Sequence, residues 1–96
     1  MINPVELLRM QNEAKKMQKK LRERRITGES KDGLVKLYMN AAQQLEDLRI
    51  DDQLLSPDMS DELRKYFKDA FKDYQKKLQK EMVADMDLSQ LKNMLG

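Results

Sequence analysis

The run from Leu34 to Asn40 alternates apolar and polar side chains, and it directly follows Asp32-Gly33. Val35, Leu37 and Met39 fall on one face; Lys36, Tyr38 and Asn40 fall on the other. Such period-2 alternation marks a half-buried strand, and Asp-Gly supplies the positive φ of a hairpin turn. The stretches before and after it have helical periodicity instead. The 96 residues must therefore hold a small sheet between helices, as a single domain spanning 1–96. A domain of this size buries only part of its apolar surface. With no cysteine, neither disulfides nor thiolate metal sites add support, which leaves association with a second copy as a source of burial.

Ile26 and Thr27 make Arg25–Ser30 a short preceding strand. Asn40–Gln44 reads as a second turn, and Leu45–Ile50 as a third strand with Leu48 and Ile50 pointing the same way. Three antiparallel strands in a meander present one apolar face, which helices must cover. The expected fold class is α+β in the order α-β-β-β-α, a three-stranded antiparallel sheet flanked by two long helices.

The first helix opens at Asn3, a good N-cap, with Pro4 at the first helical position and Glu6 three residues after the cap. Leu7, Met10, Ala14, Met17 and Leu21 then recur at alternating spacings of three and four. That is a narrow coiled-coil seam, and Arg24 ends it. Lys15, Lys16, Lys19, Lys20 and Arg22 lie off the seam. They read either as a solvated exterior or as a polyanion-binding face.

The second helix is announced by Ser56-Pro57, with Asp58, Asp61 and Glu62 near its start, where the helix dipole favours acids. These acids lack the spacing of a calcium loop, so helix-start chemistry is favoured over a metal. From Asp61 onward, steps of four divide the helix into rows. Leu63, Phe67 and Phe71 adjoin Tyr66, Ala70, Tyr74, Leu78 and Met82, predicting one broad apolar face. Asp61, Lys65, Asp69, Asp73, Lys77 and Glu81 mix charges. Arg64, Lys68, Lys72, Lys76 and Lys80 form an uninterrupted positive row.

That last row costs roughly 0.2–0.5 kcal/mol for each like-charged pair four apart. It spans about 24 Å at 1.5 Å per residue, or roughly seven steps of B-DNA backbone. A solubility role is the plainer account of such a face; phosphate binding is the sharper one. Charge is segregated along the whole chain, although the net charge is only +2. Residues 9–25 hold eight basic and two acidic residues, 46–62 hold one and seven, and 64–80 hold seven and two.

Over 83–96, Asp87, Gln90, Leu88, Leu91 and Leu95 predict a short terminal helix or a frayed extension. No apolar run reaches the length of a membrane span, and Met1–Leu8 lacks the pattern of a signal peptide, so a cytosolic protein is expected. There is no histidine, nucleophile elbow, phosphate-binding glycine loop or dinucleotide fingerprint. No enzyme, cofactor, metal or small-molecule substrate is expected, and no motif for reading base sequence is visible.

Several residues together resemble the YbaB/EbfC family of bacterial nucleoid-associated proteins. They are Ile26–Ser30 (Ile-Thr-Gly-Glu-Ser), Gly33-Leu34-Val35-Lys36, Asn40, Ile50–Leu55 (Ile-Asp-Asp-Gln-Leu-Leu) and Ala70–Asp73 (Ala-Phe-Lys-Asp). The resemblance runs colinearly over nearly the whole chain. It implies a tweezer-like homodimer that binds double-stranded DNA with little sequence preference, in the cytoplasm and at the nucleoid, without catalysis. Two departures stand out. Many members have glycine where this chain has Ala41, implying a different turn. Many have basic residues where this chain has Glu46 and Asp47.

The residues expected to contact DNA phosphates are Lys15, Lys16, Lys19, Lys20 and Arg22 on the first helix and Arg64, Lys68, Lys72 and Lys76 on the second. The alternative is a protein-interaction scaffold that uses the seam and the aromatic face. Membrane-surface binding would need Phe67, Phe71 and Tyr74 exposed.

Overall fold

The computed structural model describes residues 3–84. Helix α1 runs from Pro4–Glu23, strand β1 from Arg25–Glu29, β2 from Val35–Asn40, β3 from Leu45–Ile50 and helix α2 from Ser60–Ala84. The strands form one antiparallel sheet in the order β1-β2-β3, so the expected α-β-β-β-α architecture is present. Val83 and Ala84 continue α2; the rest of the expected terminal helix lies outside the described residues.

The alternation in β2 does what it predicts. Val35, Leu37 and Met39 are buried together with Ile26, Ala41, Leu54, Ala70 and Tyr74. The turn before β2 takes positive φ at both Asp32 (61°) and Gly33 (67°). Ser30 closes its base: the Ser30 hydroxyl accepts from the Val35 amide at 2.8 Å, and the Ser30 amide donates to the Val35 carbonyl at 2.9 Å. Two short 3-10 turns, Asp52–Leu54 and Pro57–Met59, precede α2. The Asp51 side chain caps the first through the Gln53 amide, and Leu54 enters the core. The Ser56-Pro57 signal thus starts a 3-10 turn, and α2 itself begins at Ser60.

α2 lies across β1 and β2. Its closest approach is at Gly28, where an added Cβ would collide with the Ala70 carbonyl oxygen and stand 2.7 Å from Tyr74 Cβ. The buried Tyr74 hydroxyl donates to the Asn40 carbonyl at 2.7 Å. Asn40 in turn shapes the turn to β3. Its Oδ1 accepts from the amides of Ala42 (3.0 Å) and Gln44 (3.1 Å), and its Nδ2 donates to Gln44 and Glu46. Positive φ falls at Gln43, not at Ala41. Alanine therefore fits this position, and Ala41 is buried.

The Ala41 amide donates to the carbonyls of Leu21 (3.0 Å) and Arg24 (2.9 Å), fastening the C-terminal turn of α1 to the sheet. Leu21 packs against the core and Arg24 reaches Glu81 at 4.0 Å. The rest of α1 projects away, with no buried residue. Its seam of Leu7, Met10, Ala14 and Met17 is exposed to solvent. Among the described residues the predicted seam meets the core at Leu21.

The broad apolar face predicted for α2 is also divided. The row of Ala70 and Tyr74 meets the sheet, whereas Phe67 and Phe71 remain 38% and 40% exposed. A three-stranded sheet is roughly 10 Å across from first to last strand, the diameter of one helix. With α2 set over β1 and β2, nothing among the described residues covers the β3 side. There Leu45 (49%) and Leu48 (39%) are exposed, and Phe67 and Leu63 border an apolar groove against Ile50.

Asp73, in the mixed-charge row, points to the opposite side of α2. Its carboxylate accepts from the Glu29 amide at 2.8 Å and pairs with Lys77 at 2.9 Å. Burial alone raises its pKa, but the Glu29 N–H, the bond and charge of Lys77 and the charge of Lys76 outweigh this. They hold the carboxyl below its ordinary 3.8. A depressed folded-state pKa adds stability above the unfolded value, which is lost as pH falls through the folded value. Urea midpoints should therefore drop below about pH 4. Asp73→Asn should flatten that acid limb relative to the wild type.

Candidate nucleic-acid interface

Lys15, Lys16, Lys19, Lys20 and Arg22 are all exposed on α1. The projection of the helix leaves them clear of the sheet. Lys20 and Arg22 also sit in its last turn, where cations complement the helix dipole. On α2, Arg64, Lys68, Lys72 and Lys76 are exposed, as is Lys80. At 100° per residue this row lies on the side of the helix opposite Ala70 and Tyr74, so it faces away from the sheet. None of these residues joins an ion pair among the described residues. The predicted residues therefore form two exposed cationic faces, one on each helix.

The acidic block between them is held in the fold. Glu46 pairs with Arg25 at 3.6 Å and accepts from Asn40. Asp47 accepts from the Leu48 amide at 2.8 Å, and Asp51 caps a turn. Asp58 lies in the 3-10 turn that leads into α2, and Asp61 and Glu62 in the first turn of α2 itself. The sheet's outer face carries both signs: Glu29 meets Lys36 at 4.0 Å, and Lys36 lies opposite Arg49. It is a mixed surface, unlike the helical rows. No group of acids suited to a metal is found among the described residues, and no described helix is long and apolar enough to cross a membrane.

Two features escaped the sequence reading. Asp73 and Lys77 looked like a neutralised solvent row, yet both bond to the backbone of β1, Lys77 through the Thr27 carbonyl at 2.8 Å. Only the side of α2 on which they lie, fixed by the packing of Ala70 and Tyr74, reveals this. The exposure of Phe67 and Phe71 was hidden for the same reason.

Fold and surface define a class: a small α+β protein that displays basic helices around a three-stranded sheet. The chain belongs to the YbaB/EbfC DNA-binding family, whose model matches residues 5–93. Among solved structures it is similar to the crystal structure of the uncharacterized protein HP0035 from Helicobacter pylori. The two share 27% identity over 81% of this chain and 90% of that one, with a TM-score of 0.62. Comparison with curated proteins gives no match.

Proposed function

We propose that this chain binds duplex DNA as a homodimer, through phosphate contacts of low sequence specificity, and serves in the cytoplasm to organise the nucleoid or modulate gene expression. The observation that carries the reading is the pair of exposed, unpaired lysine faces on α1 and α2, in a chain of a DNA-binding family. Arg64, Lys68, Lys72 and Lys76, with Lys15, Lys16, Lys19, Lys20 and Arg22, are the proposed contacts. Each cation that neutralises a phosphate releases counterions, which makes binding strongly salt-dependent. Phosphate contacts fix position without reading sequence.

The dimer is supported by what one copy leaves open. Phe67, Phe71, Leu45 and Leu48 form an exposed apolar strip on the β3 side, and the α1 seam is exposed as well. A second copy that covers the strip would double the cationic surface; Arg64 and Lys68 border the groove beside Phe67, whereas Lys72 and Lys76 lie outside it.

The reading is tested by anisotropy of a labelled random-sequence duplex across a salt series. Affinity should fall linearly against log salt, with a slope of about −0.9 for each phosphate engaged. Duplexes of equal length and different sequence should agree within about tenfold, far below the roughly 10³-fold preference of a specific reader. Absence of binding at low salt by the folded protein would refute the proposal and favour a scaffold for a protein partner.

A further inference from the structure

An antiparallel sheet of three strands has two outer edges, and each edge here is met by charged side chains. Along antiparallel strands, residues alternate between bonding inward to a neighbour and pointing outward. The Ser30 amide bonds inward to Val35, so Thr27 and Glu29 point out from β1. The outward Glu29 amide donates to Asp73, and the outward Thr27 carbonyl accepts from Lys77. On the other edge, the Asp51 amide bonds inward to Leu34, so Leu48 points out from β3. Its amide donates to the Asp47 carboxylate at 2.8 Å.

We propose that Asp73 and Lys77 on one edge, and Asp47 on the other, act as edge guards. They occupy backbone groups that would otherwise recruit a strand of another copy, and they keep self-association off the sheet edges. Unpaired edge groups are templates for strand addition, and charged side chains placed at them oppose it. The hazard is concrete in this chain. β3 carries exposed Leu45 and Leu48 beside its open edge, so a copy arriving there would gain both backbone bonds and apolar burial. Pairing of β3 on one copy with β1 on the next is a heterologous contact, which propagates into an open array unless its rotation closes a ring. With the edges guarded, the apolar strip between α2 and β3 and the exposed α1 seam are the seats left for a second copy. That last step rests on the dimer proposed above; the guarding does not.

The test uses the whole chain, with Asp47→Ala alone, Asp47→Ala combined with Lys77→Met, and Asp47→Asn as the control that keeps an oxygen acceptor. Asp47 is exposed, so its replacement leaves the core intact. Sedimentation velocity and the infrared signature of intermolecular strands are followed against concentration, with thermal unfolding confirming the fold. Wild type and Asp47→Asn should remain one discrete species. Asp47→Ala should shift to larger mass, and the double variant should go further and gain the infrared signal. A folded double variant of wild-type mass at every concentration would overturn the proposal. So would assembly of Asp47→Asn equal to that of Asp47→Ala, since charge and not the bond would then be responsible. A monomeric wild type would refute the dimer while leaving the edge comparison readable.

Discussion

Replacing Lys68, Lys72 and Lys76 together by glutamine is expected to weaken binding to a random duplex by roughly 10²–10³-fold at about 0.1 M salt. The slope of log affinity against log salt should become shallower by about 2.7 per protomer, because three counterion-releasing contacts are removed at roughly 0.9 each. The three side chains are exposed and face away from the sheet, so the fold should be untouched. Relief of like-charge repulsion along the row is offset at Lys76, whose charge helps hold Asp73 ionised, so thermal stability should change little. Lys77→Gln is the discriminating control. Lys77 carries the same charge on the same helix but bonds to the Thr27 carbonyl and to Asp73. Its loss should lower stability and barely move the salt slope. A triple variant with an unchanged slope would remove α2 from the DNA surface.

Gly28→Ala is expected to be the most damaging single substitution for the fold. The methyl group would be driven into the Ala70 carbonyl oxygen, a backbone atom that no change of rotamer can move aside, and against Tyr74 Cβ. Helix and sheet would have to separate at their point of closest approach, which loosens Tyr74 from the Asn40 carbonyl. Overpacking of this kind costs about 1–3 kcal/mol and sometimes more. At roughly 4–8 °C per kcal/mol for a domain of this size, the melting temperature should fall by about 4–24 °C. Scanning calorimetry would read this directly. A loss of under about 2 °C would mean that α2 shifts freely on the sheet.

The contrast between these two residues shows what a sequence can disclose. Lys68, Lys72 and Lys76 share a face by spacing alone, and their exposure follows from that spacing once the opposite row is buried. The alternation of Val35, Leu37 and Met39 disclosed β2 in the same way, since periodicity is a property of neighbouring positions. Gly28 sat inside a recognisable Ile-Thr-Gly-Glu-Ser segment, but nothing in that segment says that a helix 42 residues later passes over it. Asp73 and Lys77 were legible as charges and illegible as partners of β1, because their targets are backbone atoms and carry no side-chain signature. The division of the aromatic face was hidden too. It depends on the width of a three-stranded sheet and on which two strands the helix chooses.

The attachment of α1 has a mechanical consequence. A rod of 20 residues, about 30 Å long, is held at its root through the Ala41 amide, Leu21 and Arg24. Such a lever magnifies small adjustments: a tilt of about 10° at Ala41 carries the Pro4 end through about 5 Å. Residues near the root keep their place while those near the tip sweep a wide arc. Lys15 to Arg22 occupy the half nearer the root. In the proposed complex a duplex held by Lys15 to Arg22 would be gripped close to the fulcrum, with the distal turns placed to follow the local width and bend of the helix they embrace.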